Sequence, residues 1–528
     1  MIILYKISNA TNPGQIQTVM AQSGANLLDI LRQQQAAPQA DCNGRGICGK
    51  CRVRIVQGCA LVTDEDRRFL TGQELAQGYR LACQVSIQDD LTVCVPDSSA
   101  PVQTPELEQT VKQKHQEINQ SCSIAVDLGS TTLAAVLIDA EGNVLSQTSS
   151  VNSQKAYGAD VLSRIQASDE GKRDELQACI CRDLEQMFQT LVCSQETPVS
   201  VTGIAVAANT TMMHLLRGYS CEKLGRAPFE PVNLETECLE YGELFRPVAG
   251  CCGSRVYLLP GMSAFIGADI TAGLYSSGFW QTTEDEPAFF IDLGTNAELA
   301  YGSRNGFVTA SAAAGPAFEG GRLSCGVPGI PGAISRVSYL YHRVRIQTIG
   351  QKKPCGICGT GAMEAVAALL KEGLMDTDGL LAPPLFHTGM VLAERPDGTS
   401  ICLTQSDIRE IQMAKAAIRA GLFVLQKRYA QIYKKDQTQV SRIYLAGGFG
   451  YYLSADTAAA IGLFAPEWKD KVVLCANTSL KGAAAFLTDP SCAKELEQIR
   501  RKNTGIRLES DTDFQKLYIS QMQFPSVC

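Results

Sequence analysis

The sequence predicts two kinds of fold in one chain, a small α+β unit followed by a larger α/β unit built from two lobes. Short strands and turns fill residues 1–95, and a stretch rich in proline and serine follows them. From Ser123 onward, apolar strands alternate with helices, which is typical of sheets covered by helices. The strand and turn at 124–132 have a counterpart at 290–298, so we expect two related halves.

The overall composition excludes several classes of protein. The chain has 528 residues, which corresponds to about three to five structural units. Hydrophobic residues make up 45% and charged residues 19%, as in a globular protein rather than a disordered one. The net charge of −7 comes without a basic stripe, so we expect no nucleic-acid partner. No run of about 18 apolar residues occurs, and the first residues do not resemble a secretion signal, so we expect a cytoplasmic protein that does not enter the membrane.

The unusual feature is the cysteine content, with 21 cysteines against only 4 histidines. In a reducing compartment, cysteines are more often metal or cluster ligands and inert buried thiols than disulfide partners. The few histidines weaken any proposal of a zinc site or a histidine base. We therefore expect a cluster site together with many structural thiols.

The N-terminal unit is predicted to occupy residues 1–95. We expect a hairpin of strands at 2–7 and 15–20, a helix at 25–34, and strands at 52–57, 79–85 and 91–95. Residues 96–121 are predicted to be a linker because they are polar and contain several prolines. The larger unit then covers residues 122–528.

Four cysteines of the N-terminal unit have the spacing of a [2Fe–2S] site. Three follow C-x5-C-x2-C in one loop and the fourth lies further on: Cys42, Cys48, Cys51 and Cys83. Such a cluster needs four thiolates, and glycines in the loop let backbone N–H groups approach the sulfurs. The loop glycines are Gly44, Gly46 and Gly49. The alternatives are chance clustering and a zinc site, although zinc usually takes two close cysteine pairs and only one is present.

The remaining cysteines are predicted to be structural. Cys59 and Cys94 lie outside the spacing pattern, and we interpret them as core thiols. Cys355 and Cys358 form a C-x-x-C pair that could be redox-active at a helix N-terminus. The glycines on both sides of this pair favour close packing instead.

Two loops at the ends of apolar strands are predicted to bind the phosphates of a nucleotide. In the first, a strand ends at Asp127, whose carboxylate can hold Mg²⁺ or its waters. Glycine gives a tight turn there, and the hydroxyls that follow can bond phosphate oxygens: Gly129, Ser130, Thr131 and Thr132. The second loop repeats this plan: Asp292, Gly294, Thr295 and Asn296. Two such loops facing each other would hold the phosphates from both sides.

A third segment is predicted to hold the adenosine. The apolar strand at 443–446 runs into glycines, against whose bare backbone a flat base could lie: Gly447, Gly448 and Gly450. The Walker A and Rossmann glycine patterns are both absent. The structural alternative for each glycine motif alone is an ordinary strand-to-helix turn.

The order of these elements resembles the actin, Hsp70 and sugar-kinase superfamily (ASKHA). That superfamily has a first phosphate loop, a connecting helix, a second phosphate loop, an adenosine loop and a second connecting helix. Residues 261–274 and 477–485 are similar to the two connecting helices, and their small residues would let the helices cross closely. The resemblance implies one lobe at about 122–275 plus 452–528 and another at about 285–451. The N-terminal unit resembles the adrenodoxin-like ferredoxins in its C-x5-C-x2-C loop and in residues 71–74 and 78–84.

The fusion of a β-grasp ferredoxin domain to an ASKHA domain resembles the ATP-dependent reductive activators of corrinoid proteins over essentially the full length. Further stretches carry this resemblance: 157–165, 208–216, 314–320, 356–361, 404–409 and 445–450. It implies that the protein uses a [2Fe–2S] cluster, ATP and Mg²⁺ to return a Co(II) corrinoid protein of a methyltransferase system to Co(I). It also implies a homodimer. Asp127 and Asp292 would position Mg²⁺ and water, and Asp269 in the first connecting helix would help to orient the attacking water.

The chain departs from the family pattern at three points. Ala297 stands where the family has glycine, and Ser130 stands in place of threonine; both are small, so nucleotide binding should survive. An extra domain that some relatives carry after the linker is missing here.

Three other functions stay open. An activator of an iron–sulfur enzyme such as a 2-hydroxyacyl-CoA dehydratase would lack the fused ferredoxin loop. A small-molecule kinase would need a positioned base, for which Asp269 or Glu319 could serve. A redox sensor would deliver no net electrons.

Overall fold

The computed structural model describes residues 2–9, 12–34, 36–96, 120–340, 343–396, 398–435, 439–448 and 450–526. Nearly all of the predicted linker at 96–121 lies outside the described residues. Among those that are described, no helix has the length and apolar character that a membrane span needs.

The N-terminal unit is a five-stranded sheet with one main helix packed against it. Its elements are β1 (Ile2–Asn9), β2 (Asn12–Met20), α1 (Leu27–Gln33), β3 (Arg52–Gln57), α2 (Asp64–Phe69), α3 (Gly72–Ala76), β4 (Tyr79–Leu81) and β5 (Leu91–Pro96). The strand order is β2-β1-β5-β3-β4, with β1 and β5 parallel. Asn26 caps α1, which buries Leu27, Leu28 and Leu31 in the core of the sheet. The predicted hairpin, helix and strands are confirmed, except that the strand expected at 79–85 ends at Leu81 because a 3₁₀ turn carries Cys83.

The first part of the larger unit is a six-stranded sheet covered by helices. Its elements are β6 (Gln120–Leu128), β7 (Thr132–Asp139), β8 (Val144–Val151), α4 (Val161–Ala167), α5 (Arg173–Cys193), β9 (Val199–Ala208), α6 (Thr210–Arg217), β10 (Glu237–Glu240), β11 (Arg255–Leu258) and α7 (Ala268–Ser276). The strand order is β10-β11-β9-β6-β7-β8. The prediction of a helix over 261–274 is wrong for 261–267, which form a loop that leads into α7.

The rest of the chain contains another six-stranded sheet, two small ones and further helices. Its elements are β12 (Ala288–Leu293), β13 (Ala297–Ser303), β14 (Gly306–Ala312), β15 (Ala333–Leu340), β16 (Arg343–Thr348), β17 (Gly356–Ile357), α8 (Gly359–Lys371), α9 (Leu385–Thr388), β18 (Met390–Glu394), β19 (Ser400–Leu403), α10 (Gln405–Tyr433), β20 (Ile443–Ala446), α11 (Ala455–Ala460), β21 (Val472–Leu474), α12 (Thr478–Thr488), α13 (Cys492–Lys502), β22 (Asn503–Gly505) and α14 (Thr512–Ser520). The large sheet has the order β21-β20-β12-β13-β14-β22.

The two large sheets repeat one plan. In the first, an antiparallel run β8-β7-β6 continues into the parallel strands β9 and β11. In the second, the antiparallel run β14-β13-β12 continues into the parallel strands β20 and β21. The expectation of two related halves is therefore confirmed, and Asp127 and Asp292 occupy corresponding places near the ends of β6 and β12.

Residues 452–528 are divided between the two sheets, whereas the sequence analysis assigned all of them to the first lobe. Strands β21 and β22 pair with β20 and β14 of the second sheet. Helix α12 instead lies against α7 and the strands β6 and β9. A buried apolar cluster with members from both halves joins them at α7 and α12, and it includes Ala205, Ala272, Phe290 and Ala483.

Candidate functional site

The cysteine loop is shaped by backbone conformations that glycine favours. Asn43, Gly44, Gly46 and Gly49 all have positive φ angles, between 53° and 85°. A Cβ at Gly46 would lie 2.7 Å from the side-chain nitrogen of Gln84. The loop is thus wrapped tightly over the turn that carries Cys83.

The four predicted cluster cysteines come together as two pairs. The thiols of Cys42 and Cys48 are hydrogen-bonded to each other, and so are those of Cys51 and Cys83. Three of the four side chains are buried and Cys48 is partly exposed. In a [2Fe–2S] cluster with four cysteines each iron takes two thiolates, so two adjacent pairs are the arrangement that such a cluster needs.

Backbone N–H groups of the loop point at the sulfurs, as the glycine spacing predicted. Those of Arg45, Ile47 and Cys48 donate to Cys42, and that of Gly46 donates to Cys83. Burial opposes ionisation of Cys42, but these N–H groups outweigh it and lower the pKa of the thiol. The bond from Cys51 lowers the pKa of Cys83 to about 6, while the same bond and burial raise that of Cys51. The loop therefore stabilises negative charge on sulfur, and the donor set fits the cluster.

The first phosphate loop follows β6, and the carboxylate at the end of this strand is fixed by hydrogen bonds from α12. Asn477 Nδ2 and Ser479 Oγ, at the start of α12, donate to Asp127 at 2.7 and 2.8 Å. Burial raises the pKa of Asp127, and these two bonds partly offset the effect. A Cβ at Gly129 would lie 2.4 Å from the carbonyl oxygen of Thr132, so only glycine fits this turn.

The second loop faces the first across a shared acidic cleft. Burial, together with the charges of Asp269 and Asp127, raises the pKa of Asp292 to about 8. Burial and the charge of Asp127 raise that of Asp269 to about 7. These shifts mean that the three predicted carboxylates lie close enough to repel one another in a site of low polarity. The structure therefore brings Asp269, in the first turn of α7, to the same place as the two loops.

The carboxylates fit a cation that is shared with phosphates rather than a closed metal cage. Among the described residues, no three histidine, cysteine or acidic side chains converge as ligands of a single ion. Mg²⁺ commonly takes one or two carboxylates and fills its other positions with water and phosphate oxygens. The chemistry of the cleft is compatible with that mode of binding.

Two further acidic residues line the cleft; the sequence analysis considered Glu319 only as the base of a kinase and did not consider Glu298. Glu298 on β13 has its pKa raised strongly by burial and by the charges of Asp269 and Asp292. Glu319 accepts a hydrogen bond of 2.9 Å from Thr295 Oγ1. Glu298 lies two residues beyond Asn296. Because side chains two residues apart in a strand lie on the same face, the sequence could have predicted that Glu298 points into the cleft.

The predicted adenosine loop lies directly behind the second phosphate loop. Gly447 has a φ of 90°, and a Cβ there would lie 2.5 Å from the carbonyl oxygen of Leu293 and 2.7 Å from a carboxylate oxygen of Asp292. Gly448 is exposed and its Cβ position is open. The loop thus offers bare backbone next to the acidic cleft, as expected.

The two connecting helices cross closely through their small residues. A Cβ at Gly482 would lie 2.4 Å from the carbonyl oxygen of Ala272, and one at Gly273 would lie 2.8 Å from the ring of Phe290. Ser276 Oγ donates to the carbonyl oxygen of Thr478 at 2.6 Å. The predicted close crossing of α7 and α12 is confirmed.

The N-terminal unit contacts the first lobe through its cysteine loop. Arg32 Nε and Nη2 donate to the carbonyl oxygen of Ala156 at 2.9 and 2.6 Å. The same Nη2 donates to Asn43 Oδ1 at 2.9 Å, and Asn43 Nδ2 donates to Glu170 Oε2 at 3.0 Å. Asn43 directly follows Cys42, so the docking contact is next to the cluster site. The guanidinium group also lies 4.8 Å from the ring centroid of Tyr157.

The segment that receives Arg32, residues 152–158, also supports the first phosphate loop, and we call it the bridge segment. Asn152 Nδ2 donates to the carbonyl oxygen of Gly129 at 2.9 Å. Arg164, which is fully buried, donates to the carbonyl oxygens of Ser130 at 2.6 Å and Gly158 at 3.1 Å. One buried polar network therefore contacts both the phosphate loop and the N-terminal unit.

Half of the described cysteines outside the cluster site are buried. Cys358 is buried, precedes α8 and donates to the carbonyl oxygen of Ile334 at 3.2 Å. The glycines around it pack closely, since a Cβ at Gly361 would lie 2.2 Å from the carbonyl oxygen of Ile334. The prediction of core thiols is wrong for Cys59, which is exposed.

Three segments of this chain match the models of known protein families. Residues 11–88 match the "2Fe-2S iron-sulfur cluster binding domain", residues 122–282 the "RACo middle region", and residues 286–527 the "C-terminal domain of RACo the ASKHA domain". The "Corrinoid activation enzyme RamQ" of Eubacterium limosum is 31% identical over 425 residues, which cover 76% of this chain and 70% of that protein. The chain belongs to this family of reductive activators.

Two further related proteins also match most of this chain. The "[Co(II) methylated amine-specific corrinoid protein] reductase" of Methanosarcina barkeri is 26% identical and covers 76% of each chain. A solved structure, "Reductive activator for corrinoid,iron-sulfur protein", superposes with a TM-score of 0.69 at 26% identity, over 99% of this chain and 98% of that one. The expected fold, a ferredoxin domain fused to a two-lobed ASKHA domain, is therefore confirmed.

Proposed function

We propose that this reductive activator passes one electron from a [2Fe–2S] cluster to a Co(II) corrinoid protein, and that ATP makes the transfer possible. The observation that carries the proposal is that one chain contains both two cysteine pairs and an acidic cleft between two phosphate loops. Related proteins are named for corrinoid activation and for reduction of a Co(II) corrinoid protein. The acceptor is accordingly the corrinoid protein of a methyltransferase system, which needs Co(I) for methyl transfer.

The cluster ligands in this proposal are Cys42, Cys48, Cys51 and Cys83. When bound, the cluster takes up and gives back one electron. The N–H groups that point at Cys42 and Cys83 stabilise the thiolate charge, and such bonds together with exposure tune the reduction potential. Ile47, 59% exposed in the same loop, leaves an apolar surface from which an electron can reach a docked partner.

The nucleotide in this proposal is ATP, bound with Mg²⁺ between the lobes. Asp127 and Asp292 position the ion and its water, while hydroxyls and N–H groups of the loops bind phosphate oxygens. The residues proposed for phosphate and adenosine contacts are Gly129, Ser130, Thr131, Thr132, Gly294, Thr295, Asn296, Gly447, Gly448 and Gly450. Asp269, with a pKa near 7, can accept a proton from the attacking water as ATP is hydrolysed to ADP and phosphate.

The need for ATP follows from the energetics of the electron step. A gap on the order of 200 mV between a ferredoxin cluster and the Co(II)/Co(I) couple costs about 4.7 kcal/mol for one electron. Nucleotide can offset such a cost only if it binds two conformations with different affinity. The close crossing of α7 and α12 between the lobes is the place where such a change can occur.

A reducing cytoplasm is the compartment that suits this chemistry. Each of the described cysteines is a free thiol, including several that are exposed. The homodimer implied by the resemblance stays a prediction.

The decisive experiment is anaerobic absorbance spectroscopy of a Co(II) corrinoid protein mixed with the reduced activator. The partner should be encoded beside a methyltransferase in the same genome. We expect the Co(I) band only when Mg-ATP is added, and we expect none with Cys83→Ser as the cluster-deficient control. Absence of Co(I) despite a reducible cluster and ATP turnover would refute this acceptor.

A further inference from the structure

Glu319 is placed between the two phosphate loops and contacts both. Thr295 Oγ1, in the second loop, donates to Glu319 Oε2 at 2.9 Å. The hydroxyl of Thr131, in the first loop, also interacts with this carboxylate: burial raises the pKa of Glu319, and the interactions with Thr295 and Thr131 partly offset the rise. One side chain of the second lobe therefore joins the phosphate loops of both lobes.

The backbone that carries Glu319 is held in place by close packing. It ends a 3₁₀ turn over Pro316–Glu319, after which Gly320 has a φ of 82°. A Cβ at Gly320 would lie 2.3 Å from the carbonyl oxygen of Val327, and one at Gly359, the first residue of α8, would lie 1.7 Å from that of Phe318. The turn can move little, so departure of the carboxylate from the loops requires a change of side-chain rotamer.

The contacts of Glu319 compete with those of a nucleotide. A threonine hydroxyl has a single proton to donate, and the proposed function assigns the hydroxyls of Thr131 and Thr295 to phosphate oxygens. Carboxylate and phosphate are both anionic acceptors, and at contact distance in a partly buried cleft they repel each other. The two cannot share these donors.

We propose that the Glu319 carboxylate takes the place of a phosphate group in the nucleotide-free cleft and that ATP binds by displacing it from Thr131 and Thr295. The inference rests on the proposed function, since it concerns the same nucleotide site. The carboxylate holds the loops in a binding-ready arrangement across the cleft. The free energy needed to displace the carboxylate lowers the affinity for nucleotide phosphates, whereas the adenosine contacts are unaffected.

The test compares nucleotide affinities of the full-length, cluster-containing protein by isothermal titration calorimetry. The variant is Glu319→Gln, which removes the charge and keeps the shape of the side chain. The matched control is Glu364→Gln in α8, because Glu364 is a partly buried carboxylate of the same lobe that accepts bonds from Arg336 and from the N–H of Val337. Each protein is titrated with ATP, ADP and adenosine, with Mg²⁺ and with EDTA.

We expect Glu319→Gln to bind ATP about tenfold more tightly than the wild type, with and without Mg²⁺, since one competing charged acceptor is removed. Adenosine affinity should not change, and Glu364→Gln should match the wild type throughout. A general structural effect would alter adenosine affinity as well, so this pattern separates the two explanations. If Glu319→Gln does not fold, Glu319→Asp keeps the charge but is too short to span both loops, and it should also bind ATP more tightly.

Three results would overturn the inference. Unchanged ATP affinity would mean that Glu319 does not compete with phosphate. Weaker binding of ATP only with Mg²⁺ would make it a ligand of the cation, and weaker binding in both conditions would make it a direct phosphate-binding partner. A wild-type protein that binds no ATP would instead refute the proposed function, so the two failures are distinguishable.

Discussion

Replacing Arg32 by methionine should release the N-terminal domain from the ATPase lobe without unfolding either. Methionine keeps much of the apolar stem, and Arg32 is 8% exposed, so most of the packing is retained. The variant loses the bonds to the carbonyl oxygen of Ala156 and to Asn43. The bond of Ala40 N–H to Lys155 and that of Asn43 to Glu170 remain.

The size of the effect follows from these contacts. Hydrogen bonds that involve a charged group contribute about 1.5–3 kcal/mol each. Loss of the two bonds from Arg32 to the carbonyl oxygen of Ala156, which cross between the domains, with partial replacement by water, should weaken docking by about 3 kcal/mol, or about 150-fold in the ratio of docked to undocked protein. The remaining backbone and amide contacts would then leave a fraction of the molecules with the two domains apart.

Hydrogen–deuterium exchange of the full-length protein measures this change. We expect faster exchange in the bridge segment and in the loop around Asn43 of Arg32→Met, with cluster absorbance unchanged. Arg54→Met is the matched control, since Arg54 is exposed on β3 of the same domain, and it should exchange like the wild type. Equal protection of the bridge segment in Arg32→Met and Arg54→Met would refute the docking argument.

Three more predictions concern the cluster, the nucleotide and the stability of the chain. Cys83→Ser should abolish the cluster absorbance while ATP affinity, measured by calorimetry, stays within a factor of about two, because the loops lie in another domain. Asp127→Asn should lower ATP turnover in a phosphate-release assay by about 10²–10³-fold, since a charge that positions Mg²⁺ is lost. Burial lowers the pKa of Lys415 to about 7, so the unfolded chain binds more protons than the folded one between pH 7 and 10. This group should therefore raise the free energy of unfolding by about 1 kcal/mol per pH unit from pH 7 to 9, a slope that Lys415→Met should lack in denaturant titrations.

Each of these predictions has an outcome that would contradict it. A cluster that persists in Cys83→Ser would mean that another thiol replaces this ligand. Turnover by Asp127→Asn within threefold of the wild type would remove the residue from the magnesium site. Parallel stability curves for wild type and Lys415→Met would mean that Lys415 stays protonated in the fold.

The parts of the site that could be predicted from the sequence are those with strict local chemistry. Four thiolates must surround a cluster, so their spacing is visible in the chain, and the loops after Asp127 and Asp292 repeat one short motif. The small residues at Gly273 and Gly482 likewise predicted the crossing of the two helices, because only small side chains allow it.

The parts that were missed depend on packing between distant segments. Glu319 reaches Thr131 only because the turn before it is pressed against α8, and no local pattern records that contact. Arg32 and Arg164 are buried, and backbone carbonyl oxygens accept their hydrogen bonds. An arginine in a sequence normally predicts an exposed position, so this burial was not visible. The strands β21 and β22 have only three residues each, too few for a periodic pattern, so the division of residues 452–528 was not visible.

The bridge segment has a consequence for attempts to exchange domains between relatives. A ferredoxin module taken from another activator would bring its own loop next to Cys42, while the receiving surface at Ala156 and Glu170 would stay behind in the ATPase. The graft would then join two surfaces that had not changed together, next to the segment that supports the phosphate loop. A functional chimera should transfer residues 152–170 together with the N-terminal domain. The segment that must be exchanged as one piece therefore extends beyond the domain boundary.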